Sequence, residues 1–323
     1  MCIENYLNML DEISNKILNN KLKYKNSIII GDNSSGKSEL LKLIFSKQID
    51  GYYFIDSVNR TFDFSKINST KDLEISSYKS VVNRRINDET KFNLVDSFDL
   101  SSVDNGAIEQ IYLNYEDKIQ ILFEKMLGLK MKRITEEIGI GRTRNIIQIN
   151  DEYDKLSNGF QAIIRLFLEI LFFEDYIEDN VEFPFVVIDE INEFLSINNE
   201  QKILPFLMKE FKNINYIVTT HSEDVIMSSI DCNIIAIRGN DYEILDGNDF
   251  NTTTEIREIF NKIYSINIYE NEEDQIDGML RNLLNIKISN TWTEIEEDKL
   301  NQIDEKTLTN SQIFLLNQII NWE

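Results

Sequence analysis

The apolar positions along the chain change period several times, and each change marks an element. Ile3, Tyr6, Leu7, Leu10, Ile13 and Ile17 recur at helical spacing, which predicts a short amphipathic helix. Residues 27–30 are then almost wholly apolar, the pattern of a buried strand, before a Gly/Ser-rich turn and a helix beginning KSELLKLIF. A second strand is expected in GYYFIDSVNRTFDF. Residues 76–145 are expected to be mostly helical, on the strength of IEQIYLNYEDKIQILFEKML. IIQIN (146–150) predicts a short strand, and LSNGFQ (156–161) a loop turning into the helix that continues AIIRLFLEILFF. FPFVVIDE (183–190) and NYIVTTHS (215–222) carry buried-strand signals, and NIIAIRG with DYEIL an edge pair. Strands alternating with helices predict an α/β fold with a mostly parallel central sheet.

Composition narrows the setting. The chain has 323 residues, 42% of them apolar, enough for one large domain or two modest ones with real cores. Its net charge of −23 repels free nucleic acid, so any such contact is expected through a local basic patch or a partner protein. Residues 241–323 hold 18 acidic and 6 basic side chains, about half of the whole excess. Cys2 and Cys232 are far apart and lack metal-ligand spacing, which argues against a disulfide framework or a zinc site. No apolar run reaches the ~18 residues of a membrane span, and the N-terminus has no signal pattern. A cytoplasmic protein without a membrane partner is the expectation.

Gly31, Asp32, Asn33, Ser34, Ser35, Gly36, Lys37 and Ser38 form a complete G-x-x-x-x-G-K-S between a strand and a helix. Such a loop turns its backbone N–H groups inward as an anion nest, with the helix dipole behind them. In that chemistry Lys37 reaches the β- and γ-phosphates of ATP and Ser38 coordinates Mg²⁺. FVVIDE ends in two adjacent carboxylates at the sheet edge where phosphates sit. Asp189 there is suited to hold Mg²⁺ and Glu190 to act as general base on water. His221, the single histidine, ends another apolar strand and is expected at the same edge. Ser157 and Asn158 are good helix N-caps whatever else they do.

Phosphate loop, LSNGFQ, VVIDE and TTHS, in that order, are similar to ATP-binding-cassette ATPases. The resemblance implies that Ser157, Asn158 and Gly159 act in trans, closing the site of a second copy, so that a homodimer or higher oligomer sandwiches ATP. Asn158 stands where the signature's first glycine is commonest. Ser-x-Gly-x-Gln at 157–161, DEINEFL at 189–195 and YFIDSVNR at 53–60 resemble the overcoming-lysogenization branch, with the ATPases of Septu and retron anti-phage systems. Ser196 and Ile197 depart from the His-Pro often found there, and the nuclease domain of the classical members is missing. The resemblance therefore implies a switch ATPase acting on a separate effector, a nuclease, toxin or retron complex. It divides the chain into a core segment (1–75), a helical lobe (76–145), a second core segment (146–245) and an acidic helical region (246–323). A RecF-like recombination ATPase and a transporter subunit stay open as alternatives. Gln48 is the nearest candidate for a glutamine loop, and Tyr6 and Tyr24 for adenine stacking. Arg84, Arg85, Lys130, Lys132 and Arg133 are scattered charges for which a solvated face is the simpler reading and nucleic-acid contact the alternative.

Overall fold

The computed structural model describes residues 3–32, 35–58, 60–67, 77–87, 108–139, 142–153, 156–250 and parts of 276–320. Two compact units divide the chain, Met1–Tyr264 and Ser265–Glu323. The first unit is built on a six-stranded sheet in the order β2-β6-β7-β1-β8-β9. Its strands are β1 (Asn26–Gly31), β2 (Tyr52–Ile55), β6 (Phe185–Ile188), β7 (Asn215–Thr219), β8 (Cys232–Arg238) and β9 (Asp241–Asp246). All neighbours pair in parallel except β9, which returns antiparallel to β8. The expected α/β class with a mostly parallel sheet is found. Every residue of β6 is buried, the mark of a strand covered on both faces.

Helix α1 (Ile3–Leu18) covers the sheet through Met9, Leu10, Ile13 and Ile17, while Leu7 is 55% exposed. Leu7 was expected on the apolar face, and its exposure places it beyond the part of that face that the sheet and the helix after β1 cover. Helix α2 (Lys37–Lys47) buries Leu40, Leu41, Ile44 and Phe45. Helix α5 (Asn158–Tyr176) is buried without a break from Ala162 to Phe173, because it is apolar almost all round and runs through the core. Helices α6 (Ile197–Glu210) and α7 (Glu223–Met227) complete the crossovers.

The described residues of 76–145 are only partly helical. Helices α3 (Tyr78–Asn87) and α4 (Tyr112–Leu127) follow the expectation, but β3 (Met131–Gly139) and β4 (Arg142–Ile149) form an antiparallel hairpin, extended by β5 (Glu152–Tyr153). Gly139 and Gly141 interrupt the helical period there, and Ile134, Thr135, Thr143 and Ile147 favour strand. Met131, Ile147 and Ile149 supply the hairpin's buried positions.

The second unit packs Leu280, Leu283, Leu316 and Ile319 together and contains helices Glu294–Asn301 and Asn310–Ile320. The Thr293 N–H donates to the Glu296 carboxylate at 3.0 Å, the half of a capping box in which the N3 side chain reaches back to the N-cap. Glu272, Glu273 and Asp274 lie outside the described residues. No described helix is long and apolar enough to cross a membrane.

Candidate functional site

Strands β1, β6 and β7 run side by side with their carboxyl ends at one edge. Ile188 pairs with Val218, and Ile28 and Ile29 pair with Val218 and Thr219. The residues just beyond these ends are therefore brought together by register alone. Gly36 caps α2 in the left-handed region (φ 102°), and a Cβ there would lie 2.1 Å from the Tyr6 hydroxyl. A Cβ at Gly31 would meet Ser35 Oγ at 2.5 Å and the Ile237 carbonyl oxygen at 2.9 Å. Both glycines are thus dictated by close approach. Asn33 and Ser34 lie outside the described residues, and Ser38 is exposed in the first turn of α2.

Lys37 is buried, and its Nζ donates to the carbonyl oxygens of Gly31 (2.9 Å) and Asp32 (3.2 Å). Burial lowers its pKa, against the opposing pull of Glu190, Asp189 and Asp32. The same ammonium lies 2.9 Å from His221 Nε2, which is itself 3.2 Å from Glu190 Oε1. One ring nitrogen can accept from the lysine or donate to the carboxylate, but not both. Glu190 has φ 50°, and its N–H donates to Thr219 Oγ1 at 2.8 Å. That hydroxyl in turn donates to Asp189 Oδ1 at 2.6 Å. Burial raises the Asp189 pKa; the Thr219 hydrogen bond opposes this and the neighbouring Glu190 adds to it. Lys37, Asp189, Glu190 and His221 thus form one connected cluster, as their positions after strands predicted.

The phosphate loop suits an anion. Ser35 Oγ is buried and has no hydrogen-bond partner among the described residues, and the first turn of α2 stands behind it. Residues fit for Mg²⁺ are Ser38 and Asp189, both oxygen donors at the mouth of this loop.

Ser157 caps α5 by accepting from the Phe160 N–H at 3.3 Å, and Ser157 and Asn158 are exposed. A Cβ at Gly159 would stand 2.9 Å from the carbonyl oxygen of Phe194, so the glycine permits close packing against the segment after β6. Phe194 itself is 45% exposed and has φ 64°.

Four sequence candidates are engaged elsewhere. Gln48 caps the far end of α2, about 1.5 Å per residue away from the phosphate loop, and its side chain donates to the Asp50 carbonyl at 2.8 Å. Tyr24 bonds Asp246 and Asn248 at the opposite end of β1, leaving Tyr6 as the aromatic beside the loop. Arg85 is fully buried in an ion pair with Glu169 at 2.7 Å, so it is no nucleic-acid contact, and Arg133 is paired with Glu116 at 2.9 Å. Lys130, Lys132 and Arg84 are exposed.

Arg60 was not anticipated. It is 1% exposed, its Nη2 donates to the Asp189 carbonyl oxygen at 3.0 Å, and burial pulls its pKa down to about 10. Its Nε and Nη1 have no hydrogen-bond partner among the described residues. The sequence signals were its place just past the end of a strand that pairs with β6 and at the end of YFIDSVNR, quoted above for its resemblance but without a role for this arginine.

No family model matches the chain. Over 251 residues it is 24% identical to a curated Escherichia coli protein named the retron Ec83 probable ATPase, a span that is 71% of this chain and 44% of the relative. The chain thus matches less than half the length of that relative. The match bears out the resemblance to retron-associated ATPases read from the motifs. Among solved structures, the SMC head domain from Thermotoga maritima is 18% identical, covering 68% of this chain and 89% of that one, with a TM-score of 0.35. A metal-chelate type ABC transporter in an inward-facing conformation is 14% identical, covering 74% and 79%, with a TM-score of 0.36.

Proposed function

We propose that the chain binds and hydrolyses ATP with Mg²⁺, pairs with a second copy around the nucleotide, and by that pairing controls a separate effector in anti-phage defence. The observation that carries the reading is the convergence of Lys37, His221 and Glu190 beside a phosphate loop with an unpartnered buried hydroxyl. The backbone of Gly31–Ser38 and the Lys37 ammonium bind phosphate, while Ser38 and Asp189 are the residues to hold the metal. When bound, Mg²⁺ neutralises phosphate charge and orients the terminal phosphoryl group. Glu190 takes a proton from water as general base. Lys37, drawn to phosphate, releases His221 Nε2, which is then free to donate to Glu190 and hold its carboxylate in place. Ser157 and Gly159, at the positive end of α5, are suited to face a phosphate held by the partner copy.

Defence is supported by the retron name of the curated relative together with the motif order. The strongly acidic surface favours a protein partner over free nucleic acid. Phosphate release and nucleotide binding test the chemistry together. Lys37→Ala is expected to lose ATP binding, whereas Ser157→Arg is expected to bind normally and lose turnover by about 100-fold or more. Normal turnover by the Ser157 variant would refute the role in trans.

A further inference from the structure

Glu190 and His221 both stand on irregular backbone, the turn after β6 and the loop between β7 and α7. A side chain on such a segment is only as well placed as the groups that hold the backbone beneath it. At the strand ends the Ile191 N–H donates to the Thr219 carbonyl oxygen at 3.0 Å, and beyond that point side chains take over. Thr220 is fully buried, and its hydroxyl donates at 2.7 Å to Oδ1 of Asn192, two residues past Glu190. The same oxygen accepts the Ser222 N–H at 2.9 Å, which closes a tight turn around His221. Ser222 Oγ donates to the Glu200 carboxylate in the first turn of α6, and it caps α7 by accepting the Val225 N–H at 3.3 Å. Residues 220 and 222 are thus both tied to the segment that follows Glu190, and His221 stands between them.

We infer that Thr220 and Asn192 are positioning residues: their hydrogen bond locks the loop of His221 to the turn of Glu190 and so sets the spacing of imidazole and carboxylate. This rests on the function proposed above, in which Glu190 is the base and His221 Nε2 holds its carboxylate. Nε2 lies 3.2 Å from Glu190 Oε1, near the long end of a useful hydrogen bond. A displacement of the loop by about 1 Å therefore breaks that contact, and misplacement on this scale is enough to cost a large factor in rate. Thr220 is enclosed by protein and acts through the backbone on either side of His221, without touching the nucleotide. Removing its hydroxyl leaves the Ser222 N–H and the Asn192 amide oxygen without the group that joined them.

His221 is the single histidine of the chain, so magnetic resonance of the full chain carrying carbon-labelled histidine reads its ring without assignment. In the unmodified, nucleotide-free chain the ring Cε1–H is expected to give one sharp signal. Thr220→Val keeps the branched shape and removes the hydroxyl, and it is expected to broaden or split that signal. The same variant is expected to lower kcat by about tenfold or more while keeping the KM for ATP within about twofold. Thr220→Ser restores the hydroxyl and is expected to recover both the signal and the rate. Should Thr220→Val fail to fold, Asn192→Ala removes the acceptor from the less buried side of the pair and is expected to give the same two changes. An unmoved histidine signal, a kcat within about twofold of the unmodified chain, or a loss that Thr220→Ser does not recover overturns the assignment. Failure of the underlying reading looks different: the unmodified chain would release no phosphate from ATP, while its histidine signal still answered to Thr220.

Discussion

Asp189 and Glu190 are neighbours in sequence with unlike surroundings. Asp189 is wedged between Thr219 and the backbone, where burial favours its neutral form, while Glu190 turns out through a left-handed backbone angle toward His221. Because Asp189 has a higher pKa folded than unfolded, the folded chain holds that proton more tightly. The cost of ionisation is absent below the ordinary carboxylate range, develops as pH rises above it, and is fully present above the raised value. Asp189→Asn keeps the acceptor for Thr219 and is expected to raise the melting temperature near pH 7 by about 2 °C, a gain that disappears in acid. A lower melting temperature at neutral pH would contradict this. Lys37, Asp189, Glu190 and His221 were readable from sequence because each directly follows a strand or opens a helix. Arg60 was not, since its contact with Asp189 depends on the lateral pairing of β2 with β6, residues 133 positions apart in the chain.

At the scale of elements, α5 combines two roles. Its apolar majority fills the core, and its apolar period was plain in the sequence. The ion network inside it was hidden, because the partners of Glu169 come from α3 and β2 as well as from α5 itself. Glu169→Ala would leave Arg85 and Arg165 buried without their carboxylate, a loss of about 3–5 kcal/mol. Urea unfolding should show the midpoint falling accordingly, whereas a change below about 1 kcal/mol would mean the network is dispensable. The hairpin at 131–149 shows the converse limit. Ile and Thr outnumber the helix-compatible Lys, Arg and Glu there, so the local preference for strand was present and was overlooked beside the strong helical period of the preceding segment.

For the whole molecule, motif order was the strongest sequence signal: three short segments, the phosphate loop, VVIDE and TTHS, meet at one sheet edge because the core strands are parallel. The effector proposed above leaves no comparable mark, since docking surfaces are assembled from exposed side chains with no fixed period. Net charge does give one expectation. At about 0.15 M salt the isolated chain should not retain duplex DNA, and salt-sensitive binding in a mobility-shift assay would favour the recombination alternative. The central claim is pairing around ATP, and the most direct test is the solution mass of Glu190→Gln with saturating MgATP. Light scattering should give twice the mass of the chain with ATP and a smaller value once Lys37→Ala is added. A single-chain mass at high protein concentration, with ATP demonstrably bound, would contradict the account.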